Sequence, residues 1–103
     1  MSDKFNELFK KLKSYETDDF QNRGGDYPKS NIPTHISVRQ LKDVQQIKLK
    51  CLFKNTSEYD AKIWLEKQIK YKWKIDKYFS DIITWQDGDY HNDWVSAEAT
   101  FNF

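Results

Sequence analysis

Residues 59–76, YDAKIWLEKQIKYKWKID, decide the fold, because two periodicities compete for them. The odd positions are Tyr59, Ala61, Ile63, Leu65, Lys67, Ile69, Tyr71, Trp73 and Ile75, apolar at all but Lys67, whereas the even positions supply only Trp64. Such alternation is the mark of strands with one buried face. A helical stripe also runs through Trp64, Gln68, Tyr71, Ile75, Tyr78, Ile82 and Trp85, but it leaves Ile63, Ile69, Trp73 and Ile83 unexplained. The Ile, Tyr and Trp content of 69–75 adds weight to strand. One straight strand over the whole run would span roughly 56 Å at about 3.3 Å per residue, against an expected radius of gyration near 13 Å. The spacing therefore predicts strands that bend or reverse at Glu66-Lys67-Gln68, where the alternation lapses.

Upstream, a period of two starts at Ile36 and Val38 and becomes clear at Ile47, Leu49, Cys51 and Phe53, with Lys48, Lys50 and Lys54 on the other face. Leu41 to Val44 shifts the phase, which calls for a bulge or short turn near 41–45. Asn55-Thr56-Ser57 reads as a hairpin turn. Residues 15–34 lack periodicity and are dense in turn formers, among them Arg23-Gly24-Gly25-Asp26, Tyr27-Pro28 and Ile32-Pro33, so they form a loop of about 20 residues. Before it, Phe5, Leu8, Phe9 and Leu12 fall at helical spacing, with Ser2 or Asp3 as cap and lysines in the last turn.

Downstream, Trp85 to Asp89 is a turn signal, and Val95, Ala97, Ala99, Phe101 and Phe103 alternate with Ser96, Glu98, Thr100 and Asn102 as a half-buried terminal strand. The expectation is one α+β domain over 1–103. An N-terminal helix (1–14) and a long loop (15–34) precede a four- to five-stranded, meander-like antiparallel sheet (35–103), on which the helix packs.

The chain has 103 residues, 17% of them aromatic, with 17 Lys+Arg against 16 Asp+Glu. A net charge of +1 gives no global field for nucleic acid or anionic membranes, so such a role must come from local patches. No run approaches the roughly 18 apolar residues of a membrane span, and the start lacks a secretory signal pattern. With Cys51 alone there is no internal disulfide, which makes a reducing, cytoplasmic compartment the expectation.

Enzymatic constellations are thin. His35, His91 and Cys51 allow a thiol nucleophile with a base by arithmetic, but Cys51 is in phase with Ile47, Leu49 and Phe53 and reads as a core residue. Phosphate-binding glycine loops, zinc-ligand spacings and hydrolase elbows are missing, and neither catalysis nor a cofactor is expected. The one metal-like spacing is Asp87, Asp89, His91 and Asp93, interrupted by Gly88 and better read as a solvated turn.

Charge is segregated. Residues 1–77 hold all 17 cations and 11 acids, net +6, whereas residues 78–103 hold five acids and no cation, net −5. A protein-binding module ranks first on this pattern, a stoichiometric inhibitor or immunity-type factor acting on one macromolecular partner. Its contacts would be Tyr27, Asp89, Tyr90, His91, Asp93 and Trp94, aromatic anchors rimmed by charge. The alternative is single-stranded nucleic acid on a basic sheet face of Lys48, Lys50, Lys70, Lys72 and Lys74 with Trp64. A small-ligand pocket between sheet and helix is a third reading. Homodimerisation through an edge strand, Val95 to Phe103, is a further expectation.

Overall fold

A computed structural model of the chain describes residues 3–18, 32–86 and 94–103. Helix α1 spans Asp3–Lys13, followed by strands β1 (Thr17–Asp18), β2 (His35–Leu41) and β3 (Gln46–Lys54). Helix α2 (Glu58–Lys67) runs directly into a π-helical turn (Gln68–Lys72), and strands β4 (Phe79–Gln86) and β5 (Trp94–Asn102) complete the described chain. The strands form one antiparallel sheet in the order β1-β2-β3-β5-β4. The first three are consecutive neighbours, as in a meander. Helix α2 then carries the chain over the sheet to the outer β4 position, and β5 returns between β3 and β4.

The α+β class, the N-terminal helix and the antiparallel sheet match the sequence expectation, and the phase shift after Leu41 is the turn at 42–45 between β2 and β3. Residues 59–72, expected as strands, are helical. Ser57 is not part of a hairpin turn; its hydroxyl accepts a bond from the Asp60 N–H (3.0 Å) and caps α2. Asn55, at φ 58°, turns the chain off β3 toward that cap.

The apolar alternation arises from a longer spacing hidden inside it. Of the odd positions from 59 to 73, Ala61, Leu65, Ile69 and Trp73 are buried, each four residues from the last, while Tyr59 and Tyr71 are 72% and 71% exposed; Ile75, beyond the π turn, is buried as well. Four residues of α-helix turn through about 400°, so a strict four-residue stripe drifts about 40° per step. The wider π turn takes up that drift: the Trp73 N–H reaches back five residues to the Gln68 carbonyl (2.6 Å), and Ile69 and Trp73 both stay on the buried side.

Both helices lie on one face of the sheet, α1 against β2 and α2 against β4 and β5. Phe5, Leu8 and Leu12 of α1 and Ala61 and Leu65 of α2 meet Ile36, Ile47, Leu49, Cys51, Phe53, Val95 and Phe101. Ala97 and Ala99 of β5 are fully buried, and their small size lets α2 sit close. Between the helices, Tyr15 stacks on Trp73 (4.4 Å), Trp73 meets Trp64 edge-on (6.3 Å) and Trp64 meets Phe53 (5.7 Å). Aromatic rings thus bridge the two helices over the sheet. Strand β5 is hydrogen-bonded on both sides, which closes the expected route to homodimers through Val95 to Phe103.

Candidate functional site

Among the described residues no helix lies on the opposite face of the sheet, and register determines what that face carries. Arg39 pairs with Lys48, Lys48 with Thr100 and Thr100 with Asp81; one row along, Ser37, Lys50, Glu98 and Ile83 line up; next come His35, Leu52, Ser96 and Trp85. Lys54 opposite Trp94 closes this end of the face. The alternation that buries Ile47, Leu49, Cys51 and Phe53 against the helices therefore sends Lys48, Lys50 and Lys54 outward, as their spacing predicts.

A cleft of about 390 Å³ lies at the centre of this face, lined by Ser37, Val38, Arg39, Lys48, Lys50, Trp85 and Glu98. Glu98 is its floor. Although it sits on the uncovered side, Glu98 is only 8% exposed, because β5 is central and its neighbours carry long side chains. Arg39 approaches its carboxylate at 3.6 Å and Lys48 at 3.9 Å. The Lys50 ammonium lies 5.4 Å from the Trp85 ring centre, in the cleft, and the Lys54 ammonium 4.9 Å from that of Trp94, further along the same face.

Of the residues proposed from sequence to touch a partner, Trp94 stands on this face, at the start of β5. Tyr27, Asp89, Tyr90, His91 and Asp93 lie outside the described residues, as does the whole metal-like set Asp87, Asp89, His91 and Asp93. The six residues of the nucleic-acid alternative do not form one surface. Lys48 and Lys50 are on the open sheet face. Trp64 belongs to α2 and packs on Phe53 and Trp73, Lys70 and Lys72 project from the π turn and Lys74 follows it, all on the helix-covered side. Lys70 pairs there with Glu66 at 3.4 Å. Because residues 58–72 are helical and not strand, the sheet lies between the two lysine groups.

Sequence reasoning missed Arg39, Trp85 and Glu98. Arg39 and Glu98 were legible in principle, since each falls on the polar side of an alternating strand, at odd positions of β2 and even positions of β5. Their meeting depends on β5 lying next to β3, which no local pattern encodes.

Cys51 is fully buried, and desolvation pushes its thiol well above the ordinary range, so it is an inert core group. Among the described residues, no helix is long and apolar enough to cross a membrane. Comparison with protein-family models, with curated proteins and with solved structures gives no match.

Proposed function

We propose that the chain is a small protein-binding module that docks one macromolecular partner on the open face of its sheet, in the manner of a stoichiometric inhibitor or immunity-type factor. The observation that supports this most is the cleft itself: Arg39, Lys48 and Lys50 converge on it beside Trp85, on a face that neither helix covers. Arginine and tryptophan anchors at the centre of a charged surface are the composition of interaction hot spots. A cationic face of this kind selects an acidic partner surface and speeds the encounter with it. Trp94 and Lys54 extend the surface at one end.

A protein partner fits this face better than stacked bases do. Lys50 and Lys54 each hold an ammonium against a tryptophan ring, where a base platform needs open ring faces, and Glu98 sets a buried carboxylate among the cations that phosphates would seek.

The test is retention from lysate with and without nuclease, comparing the parent chain with Lys48→Glu/Lys50→Glu. The reading predicts one protein that survives nuclease, is bound in stoichiometric amount and is lost on the double reversal while the melting temperature holds. Retention that is indifferent to the reversal, or that vanishes with nuclease, overturns it.

A further inference from the structure

Independently of the sheet face, we infer that the end of the molecule where the two helices finish is a docking surface for an anionic lipid membrane. Two contacts bring those ends side by side. The Lys11 ammonium donates to the Trp73 carbonyl at 3.1 Å, and Tyr15 stacks on the Trp73 ring at 4.4 Å. The last turn of α1, with Lys10, Lys11 and Lys13, thereby adjoins the π turn and its exit, with Lys70, Lys72 and Lys74, and all six lysines are exposed. Counting Lys67 and Lys77 beside them, residues 10–16 and 66–77 hold eight lysines against three acids, Glu16, Glu66 and Asp76. Lysine at a helix C-terminus ordinarily complements the macrodipole. Two such ends amount to about −0.5 charge each, which offsets only about one of the five surplus lysines. Lys13 pairs with Glu16 and Lys70 with Glu66, but Lys10, Lys67, Lys72 and Lys74 have no ion pair among the described residues.

Lys74 adds a separate observation. It ends the π turn at φ 56°, with the Ile75 N–H on the Ile69 carbonyl, a place that helices ordinarily fill with glycine. A lysine held there against its backbone preference points to a side chain kept for binding and not for stability. Of the anionic macromolecules, a lipid surface fits best. Single-stranded nucleic acid needs open ring faces, whereas Tyr15, Trp73 and Trp64 are packed on one another, and neither segment contains an arginine to grip phosphate with its fork. Lysine point charges suffice at a plane of anionic headgroups, where each strengthens binding about fivefold. Tyr71, 71% exposed between Lys70 and Lys72, supplies an amphipathic ring of the kind that settles at the headgroup boundary.

The experiment is co-sedimentation of the full chain with vesicles of phosphatidylcholine and phosphatidylserine in equal parts, against pure phosphatidylcholine, at low and physiological salt. The chain should pellet with the anionic vesicles alone, and less as salt rises. Lys70→Glu/Lys72→Glu/Lys74→Glu should weaken binding by about a hundredfold, whereas Lys48→Glu/Lys50→Glu, on the sheet face, should leave it unchanged. The decisive variant is Lys74→Gly. Its melting temperature should rise as the backbone relaxes, yet its vesicle affinity should fall about fivefold, a result that loss of folding cannot imitate. No pelleting with anionic vesicles at low salt, equal loss from the two sets of lysines, or parent-like binding by Lys74→Gly overturns the assignment. So does tighter binding of an oligothymidylate than of the vesicles, which would make nucleic acid the ligand, or displacement of the vesicles by inorganic phosphate at equal phosphate concentration, which would make this a small-anion site. The protein-binding reading of the sheet face stands or falls separately, on capture of its partner.

Discussion

Glu16 links three parts of the chain. Its carboxylate meets the Lys13 ammonium at 2.9 Å and accepts a bond from the Val38 backbone N–H at 2.7 Å, just past the two-residue pairing of β1 with β2. Partial burial pushes its carboxyl up, but the bonds from Lys13 and Val38 and the charges of Lys13 and His35 outweigh this and hold it below its ordinary value of 4.5. A depressed folded-state value means stability that is present above pH 4.5 and lost as pH falls through the lower folded value. Acid unfolding of Glu16→Gln should therefore show a shallower loss of stability below about pH 4.5 than the parent; parallel curves would count against this role. Lys74 makes a separate point. It sits at φ 56° as the chain leaves the π turn, where the Ile75 N–H closes back on the Ile69 carbonyl at 2.8 Å. The left-handed region costs a residue with a Cβ about 1 kcal/mol relative to glycine, so Lys74→Gly should raise the melting temperature by roughly 4–8 °C. A fall on calorimetry would mean that the lysine side chain contributes more than its backbone costs.

At the scale of elements, helix α2 shows what local sequence conveys and what it does not. The strands β2, β3 and β5 were legible because each alternates over seven to nine residues with a single phase. Helix α1 was legible because Phe5, Leu8 and Leu12 form one stripe between charged neighbours. In residues 59–72, a four-residue repeat that feeds a π turn falls entirely on odd positions, and so imitates a strand. The signal that favours helix is Ser57 followed three residues later by Asp60, a cap ahead of an apolar run. Ser57→Ala should accordingly cost about 1 kcal/mol in denaturant unfolding, with an unchanged m value. A cost near zero would show that packing of Ala61, Leu65 and Ile69 alone fixes where the helix begins. The sheet edges follow a related logic: on β4 the Asp81 carboxylate accepts from its neighbour Ile82 N–H at 2.8 Å, as Glu16 does at β2. A carboxylate near each edge occupies a backbone donor and discourages added strands.

For the whole molecule, the sheet separates two surfaces of different character. The helix-covered side carries Lys70 and Lys72, spread along a solvated helical surface with Glu66 between turns. The open side gathers Arg39, Lys48, Lys50 and Lys54 around Glu98 and two tryptophans. The lysines of β3 could be placed outward from sequence alone, but the cleft could not: it depends on β5 passing between β3 and β4 so that Glu98 lands beside Lys50. The central claim is that this open face is the docking surface. It is tested most directly by measuring, at low salt, the association rate and affinity of the retained partner for the parent chain, for Lys48→Glu/Lys50→Glu and for Lys70→Glu/Lys72→Glu. Both variants change the net charge equally but on opposite sides of the sheet. Slower association and at least about tenfold weaker binding for the sheet-face variant alone is the predicted result. Equal effects from both variants, or loss confined to the helical one, would contradict it.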